Sequence, residues 1–402
     1  MAIEIRNPSD EELPDAMRAG EAAFGAEHKD EERERHRKML PLDRFLAAYD
    51  DGRPVGTAAS FPFELTIPGG VVRAAGVTWV GVLPSHRRRG ILRGFMREQL
   101  EDIRSRGEPL AILWASETGI YGRFGYGLAA LNGMLDARTD RFAFRDDPGR
   151  AGTIKLVSRD EALELFPPVY DRIRLEIPGL VARSRDWWTE YKLADPEDWR
   201  DGAGPKFYAA LELDGSVEGF ALYRIKEDWR HALPQSQLRV LEALATSPAA
   251  TREVWRFLFG IDLVTKVEQE HFDPSSPLFL MVEDPRRLHL QLYDGLWLRF
   301  VDLEASLRAR SYATDDSIVL DVRDQICAWN EGRWRVGPSI ERTGDAPELE
   351  LDVRDLASVY LGAFDFHWLA RAQRVRELRP GALERATLLF RTSRPPFCPE
   401  DF

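Results

Sequence analysis

The chain is poor in the residues that define several common protein classes. Its 402 residues include two cysteines, Cys327 and Cys398, which excludes a disulfide scaffold and a zinc site built from cysteine thiolates. The seven histidines show no HExxH or similar spacing, so we predict no metal site. Apolar runs stay well short of a membrane-spanning length, so we expect no transmembrane helix.

Positively charged residues are also fewer than negatively charged ones. The 55 Lys and Arg residues are outnumbered by 67 Asp and Glu residues, which gives a formal net charge of -12 and a sequence pI of about 5.3. An acidic chain binds polyanions poorly, so we expect no nucleic-acid partner and no membrane partner. The N-terminal residues carry charge and lack the apolar core of a signal peptide, so we predict a cytoplasmic protein.

The first 150 residues show the signals of an α/β domain. Apolar residues make up 44% of the chain, as in ordinary globular proteins, and the length predicts two or three domains. A hairpin around Asp51-Gly52 precedes a strand at 72–82, a helix at 87–106 and a strand at 110–115. We therefore predict a first domain over residues 1–150.

The same order of elements recurs further along the chain. A hairpin around Asp214-Gly215, a strand at 238–246 and a helix at 251–259 repeat the pattern of the first domain. We interpret residues 151–293 as a diverged copy of that domain. Residues 294–402 have a different composition and predict an α+β domain, in which 326–330 is one of the expected strands.

The most informative segment joins the first domain's strand at 72–82 to the helix that follows. It reads Val80-Gly81-Val82-Leu83-Pro84-Ser85-His86-Arg87-Arg88-Arg89-Gly90-Ile91-Leu92. Unpaired backbone N–H groups and the helix dipole make such a junction an anion site, and Gly90 lets the backbone approach the anion closely. Arg88 and Arg89 add donors for phosphate oxygens. A solvated arginine cluster is the alternative, but the position between a strand and an amphipathic helix favours a pyrophosphate site.

Two segments carry a resemblance to a known family. The run Arg87-Arg88-Arg89-Gly90-Ile91-Leu92 resembles motif A of the GNAT N-acetyltransferases, (R/Q)-x-x-G-x-(G/A), with Leu92 in place of the small last residue. The stretch from Ala115 to Gly127, ASETGIYGRFGYG, is similar to the ASEGGIYGRFGYG segment of the actinobacterial Eis-type (enhanced intracellular survival) branch. The order of domains also looks like that branch, so the resemblance covers essentially the whole chain.

The resemblance implies a fold class that combines α/β and α+β domains. We expect two tandem GNAT-like domains, 1–150 and 151–293, of which the second lacks the pyrophosphate loop. A sterol-carrier-protein-like α+β domain, 294–402, should follow and should carry a catalytic C-terminus. The family likeness also implies a homohexamer arranged as a trimer of dimers.

The resemblance further implies an acetyl-CoA-dependent N-acetyltransferase that uses no metal. Acetyl would pass to a primary amine of a cationic small-molecule acceptor, aminoglycoside-like or lysine-like, by direct attack in a ternary complex. The residues expected to bind acetyl-CoA are Val80, Gly81, Val82, Arg87, Arg88, Arg89, Gly90, Ile91, Leu92, Arg93, Ser116 and Glu117.

The reaction needs a proton donor for the departing thiolate and a proton acceptor for the amine. From the residues alone Tyr121 and Tyr126 are nearly equal candidates for the donor, and the family motif favours Tyr121. The family's acceptor is the C-terminal carboxylate, here that of Phe402. A frayed tail is the ordinary alternative for such a residue.

A second function class is a non-catalytic protein that binds lipids or other apolar ligands through the sterol-carrier-like domain. Such a protein does not need the basic turn from Arg87 to Gly90, the pair Ser116-Glu117 or Tyr121. Their joint presence favours the enzyme.

Overall fold

The computed structural model describes residues 3–402. Its strands are β1 (Glu4–Arg6), β2 (Phe45–Asp50), β3 (Arg53–Ile67), β4 (Gly70–Val82), β5 (Leu110–Trp114), β6 (Gly127–Leu128), β7 (Leu131–Arg138), β8 (Thr153–Val157), β9 (Phe207–Leu213), β10 (Ser216–Lys226), β11 (Trp229–Arg230), β12 (Leu233–Pro234), β13 (Ser236–Ala245), β14 (Val264–Phe272), β15 (Gln291–Asp294), β16 (Leu296–Phe300), β17 (Ile318–Arg323), β18 (Gly332–Val336), β19 (Glu341–Arg342), β20 (Leu349–Asp352) and β21 (Val375–Glu377).

The α-helices of the described residues are α1 (Leu13–Ala23), α2 (Asp30–Met39), α3 (Ile91–Ser105), α4 (Thr118–Tyr121), α5 (Arg159–Arg174), α6 (Pro248–Phe259), α7 (Leu278–Met281), α8 (Leu303–Ala309), α9 (Val353–Tyr360), α10 (Phe366–Arg371) and α11 (Ala382–Leu389). None of these helices combines the length and the hydropathy that a membrane crossing needs.

The chain forms two compact units, which do not follow the sequence in single blocks. The first unit comprises the chain up to Ala130, Leu296–Ser393 and Glu400–Phe402. The second unit comprises Leu131–Gly295 and the short segment Arg394–Pro399. The last nine residues are therefore divided between the two units.

The first unit contains a seven-stranded sheet in the order β1-β2-β3-β4-β5-β16-β6. Its neighbours are antiparallel except for β4 and β5, which run parallel with α3 as their connection. Helix α3 is amphipathic, and its buried face includes Ile91, Phe95 and Leu100 at helical spacing. The first unit also holds a five-stranded sheet in the order β19-β18-β17-β20-β21.

The second unit contains a sheet with a similar arrangement of strands. Its seven strands lie in the order β15-β7-β14-β13-β10-β9-β8, and β13 and β14 are parallel, with α6 between them. The predicted Asp-Gly turns are confirmed in both units, because Asp51 and Gly52 have φ of 52° and 71°, and Asp214 and Gly215 have φ of 51° and 82°. Two successive positive φ values are the geometry that closes a two-residue hairpin without splaying its strands.

One predicted strand of the last third is wrong. Residues 326–330 form a turn, because the Asp324 carboxylate accepts hydrogen bonds from the backbone N–H groups of Ile326 and Cys327 at 3.1 and 3.0 Å. A side chain that binds the backbone two and three residues ahead offers it a turn in place of a sheet ladder.

Candidate active site

A gap opens in the first unit where its two parallel strands separate. β4 and β5 are paired from Ala74 to Gly76, opposite Leu110 to Ile112. Beyond Gly76 β4 continues to Val82 along β3, while β5 continues to Trp114 along β16. Backbone groups on the facing edges of the two strands are thereby available to an extended ligand. The predicted cofactor residues Val80, Gly81 and Val82 lie at the open end of this gap.

A β-bulge reshapes the strand beside the gap. Thr78 pairs with Ala59 and Gly81 with Thr57, so two residues of β4 oppose one residue of β3. Trp79 takes a left-handed conformation with φ of 54°, and its carbonyl accepts a hydrogen bond from the Thr57 hydroxyl at 2.7 Å. The bulge is absent from our sequence expectations, because nothing local in the sequence requires a tryptophan with positive φ.

The basic turn leaves the start of α3 open to an anion. Gly90 is the N-cap residue, with φ of 85° and no side-chain cap. A Cβ placed on Gly90 would meet nothing within 4 Å, so the space above the helix terminus is clear. Arg87, Arg88 and Arg89 are exposed around it. This combination of an uncapped helix start, a glycine and three guanidinium groups fits the pyrophosphate of a coenzyme A molecule.

Asp50 orders one side of the basic turn. Its Oδ2 accepts a hydrogen bond from Arg89 at 2.8 Å and lies 3.2 Å from Nε2 of His86. The hydrogen bond from Arg89 lowers the pKa of the Asp50 carboxyl, so the pair stays ionic at neutral pH. The Arg87 guanidinium donates to the Val82 carbonyl at 3.4 Å. These contacts orient the turn, and sequence analysis missed the part that Asp50 plays in them.

Tyr121 lies at the end of the short helix that follows β5. Ser116 and Glu117 lead into this helix and are exposed, whereas Tyr121 is 6% exposed. Its ring belongs to an apolar cluster with Ala75 and Val77 of β4. Burial, with a smaller effect of the Glu117 charge, raises the pKa of Tyr121 to about 12. The phenol therefore keeps its proton at neutral pH.

Tyr126 has a different environment. It is fully buried, its hydroxyl has no hydrogen-bond partner, and burial raises its pKa. The buried guanidinium of Arg299, which is paired with Asp324 at 2.7 Å, lies over Gly125 beside it. Tyr126 is thus enclosed by the protein, in a ring contact with Tyr121 at 5.8 Å between centroids.

Phe402 is seated at the point where the strands separate. Its ring lies 5.1 Å from the ring of Phe63, centroid to centroid. A Cβ on Gly76 would clash with the Phe63 ring and come within 3.1 Å of the Phe402 ring, so the glycine makes room for both rings. Glu400, two residues before Phe402, is 1% exposed, so this part of the C-terminal segment is also buried.

Tyr121 and Phe402 approach β4 from opposite faces. Side chains alternate along a strand, and the Ala75 and Val77 side packs with Tyr121 in the cluster that contains α3 residues. The intervening Gly76 faces Phe63 and Phe402. The predicted site residues are therefore brought together around one gap, and the unpredicted Gly76 and Phe63 form the bed of Phe402. A glycine inside a strand was the available signal for such a close approach.

Among residues 3–402 no three His, Cys, Asp or Glu side chains are grouped so that they could hold a metal ion.

Comparison with known families matches the whole architecture. Models described as acetyltransferase (GNAT) domains match residues 4–129 and 179–299, and a sterol carrier protein domain matches residues 303–399. The fold and the gap thus define a GNAT acetyltransferase with a duplicated GNAT domain. The prediction of two GNAT-like domains and a sterol-carrier-like domain is confirmed.

Relatives of similar length support a narrower assignment. The chain is 41% identical over 385 residues to a Streptomyces avermitilis protein named as an uncharacterized N-acetyltransferase, with 94% of each chain covered. It is 34% identical over 413 residues to the N-acetyltransferase Eis of Mycobacterium tuberculosis, with 98% of each covered. The crystal structure of Eis1 from Mycobacterium abscessus superposes with a TM-score of 0.86 at 33% identity over the full length of both chains.

The chain belongs to the Eis-type family of GNAT N-acetyltransferases. The predictions of the family and of an acetyltransferase are both confirmed. GNAT acetyltransferases use acetyl-CoA as the acetyl donor, and their acceptors include small-molecule amines.

Proposed function

We propose that the protein transfers acetyl from acetyl-CoA to a primary amine of a cationic acceptor, aminoglycoside-like or lysine-like, by direct attack in a ternary complex. The observation that carries this proposal is that Tyr121 and Phe402 pack on opposite faces of β4, at the point where its gap to β5 opens. The amine nitrogen bonds to the thioester carbonyl carbon and loses a proton, while the C–S bond breaks and the sulfur gains a proton at a different position. A proton acceptor on one side and a donor on the other suit that geometry.

Acetyl-CoA supplies an activated thioester, and the residues of the gap would hold it. The β4 edge from Val80 to Val82 would pair with the pantetheine amides. The basic turn and the first turn of α3, Arg87 to Arg93, would hold the pyrophosphate, as the open helix start at Gly90 supports. Ser116 and Glu117 would contact the cofactor from the end of β5.

Tyr121 acts as the proton donor in this proposal, and the carboxylate of Phe402 acts as the proton acceptor. The raised pKa of Tyr121, about 12, keeps its proton available until a thiolate forms beside it. The ring of Phe402 packs against Phe63, and this contact supports a defined position for its carboxylate. The acidic Asp401 and the net charge of -12 favour a cationic acceptor.

The remaining assignments follow the family. Residues 1–150 would act as the catalytic acetyl-CoA-binding domain, 151–293 as the second GNAT domain and 294–402 as the sterol-carrier-like domain. We propose a cytoplasmic homohexamer, a trimer of dimers. Light scattering should then give about six times the 45.9 kDa chain mass, and a monomer would contradict it.

A thiol-release assay tests the function. The protein is mixed with acetyl-CoA and a panel of aminoglycosides, lysine derivatives and neutral amines, and free coenzyme A is followed. We expect turnover with cationic primary amines. If no amine is acetylated and calorimetry detects no acetyl-CoA binding, the proposal fails, and a role of the sterol-carrier-like domain in binding apolar ligands is the reading that remains.

A further inference from the structure

The second GNAT domain keeps the gap between its parallel strands. β13 pairs with β14 from Ser236 to Arg239, and its next six residues, up to Ala245, follow β10. In the first unit the corresponding free stretch of β4, from Val77 to Val82, also has six residues. The second domain therefore retains a gap beside a free strand edge of the same length as the one that the first domain offers to a ligand.

The anion-binding part of that opening is closed in the second domain. Helix α6 follows β13 as α3 follows β4, but its N-cap residue is Ser247. The Ser247 hydroxyl accepts the backbone N–H of Ala250 at 3.2 Å, and Pro248 at the first position has no N–H to offer. The first turn of α6 therefore has fewer free backbone N–H groups for a pyrophosphate than the first turn of α3.

The chain's own C-terminal segment lies at this gap. A pocket there is lined by the ends of β13 and β14 and by Arg394, Phe397 and Pro399. Phe397 is 2% exposed and belongs to an apolar cluster with Tyr170, Trp188 and residues of β9 and β10. Burial of an aromatic ring in this way favours the bound position of the segment, because it removes apolar surface from water.

Backbone contacts fix the same segment. The N–H of Phe397 donates to the Pro178 carbonyl at 2.9 Å. Gly179 has φ of 98°, and a Cβ on it would come within 2.7 Å of the Phe397 carbonyl oxygen. The Arg394 guanidinium lies 3.9 Å from the carboxylates of Glu176 and Asp273. Prolines before and after Phe397 restrict φ and lower the entropy cost of holding the segment.

We infer that the second GNAT domain uses its vestigial cofactor gap to hold residues 394–399 of its own chain, and that this clamp positions the Phe402 carboxylate. Phe397 is the positioning residue. Three residues lead from Pro399 to Phe402, a reach of at most about 10 Å, so a fixed Phe397 restricts where the carboxylate can go. The inference rests on the proposed role of that carboxylate as proton acceptor.

Three substitutions in the full chain test the clamp. Phe397→Ala removes the anchor, Phe397→Leu keeps an apolar side chain, and Phe259→Ala removes a buried ring from the second unit's other core cluster as a stability control. We expect Phe397→Ala to lower kcat about 10²-fold, the cost of a carboxylate displaced by about 1 Å, with the KM for acetyl-CoA within twofold of the parent. Phe397→Leu should recover most of kcat, and Phe259→Ala should keep kcat despite a lower melting temperature.

Hydrogen exchange gives the readout that does not depend on turnover. In Phe397→Ala, amides of residues 394–402 should exchange faster, while those of β4 and β5 stay protected. An unchanged exchange rate in the tail, or a kcat equal to that of the parent, overturns the clamp.

The proposed proton acceptor is tested separately by extending the chain after Phe402. If the extension abolishes turnover and Phe397→Ala does not affect it, the acceptor stands and the clamp is wrong. If the extended protein is fully active, the proposed function of the carboxylate fails, whatever the exchange data show.

Discussion

Adding one glycine after Phe402 tests the C-terminal carboxylate without removing any side chain. The addition turns the Phe402 carboxylate into a neutral amide and moves the charge one residue on, by up to about 3.5 Å. The ring of Phe402 can keep its contact with Phe63 at 5.1 Å, so the anchor is retained. We expect kcat to fall by about 10²- to 10⁴-fold, the range for a lost general base, which is about 3 to 5 kcal/mol in activation free energy.

The assay is thiol release at saturating acetyl-CoA and acceptor, with the melting temperature as the folding control. The KM for acetyl-CoA should stay close to that of the parent, because the basic turn is untouched. A glycine added at the N-terminus is the matched control and should leave kcat unchanged. Full activity in the C-terminally extended protein would show that the Phe402 carboxylate is not the proton acceptor. Another carboxylate, such as that of Glu117, would then have to be tested as the base.

Three further predictions concern the other parts of the site. Tyr121→Phe should lower kcat about 10²-fold with an unchanged KM for acetyl-CoA, and Tyr126→Phe should have a much smaller effect, since Tyr126 is enclosed; the reverse order would move the proton donor to Tyr126. The double substitution of Arg88 and Arg89 by Ala should raise the KM for acetyl-CoA at least tenfold with little change in the acceptor KM, because charge-assisted phosphate contacts are worth about 1.5–3 kcal/mol each; an unchanged KM would place the pyrophosphate elsewhere. The Tyr121 pKa of about 12, against about 10 in the unfolded chain, stabilises the fold below pH 10, and this stability is lost as the pH rises to 12. Between pH 9 and 11 the parent should therefore lose about 1.4 kcal/mol more of its free energy of unfolding than Tyr121→Phe loses, as measured by chemical denaturation. Equal losses in the two proteins would contradict the raised pKa.

The sequence carried enough to predict the parts of the fold that depend on local chemistry. The two Asp-Gly turns are set by residues within a few positions, and the helix expected at 87–106 is present but begins only at Ile91, after the basic turn. The predicted strand at 326–330 failed for a related reason. Its apolar residues suit a strand, but Asp324 binds their backbone and a turn results.

The parts that could not be predicted depend on contacts between distant segments. Arg299 is fully buried with Asp324, and hydropathy alone would place it at the surface. Phe402 packs against Gly76 and Phe63, which lie more than 300 positions earlier in the sequence. The family motif indicated which residues matter, but their geometry around the gap became evident only when the strands were in place.

The two copies of the GNAT fold differ at the start of one helix. In both, parallel strands separate and expose backbone groups along a gap of similar length. Gly90 leaves the N–H groups of α3 open and suits a ligand with a pyrophosphate, whereas Ser247 caps α6 and removes that preference. The segment that lines the pocket at the second gap, Arg-Pro-Pro-Phe-Cys-Pro at 394–399, contains no acidic residue, and the acidic Glu400 and Asp401 follow only after it. The two gaps thus differ in the ligands that suit them, because an uncapped helix terminus favours an anion and a capped one does not.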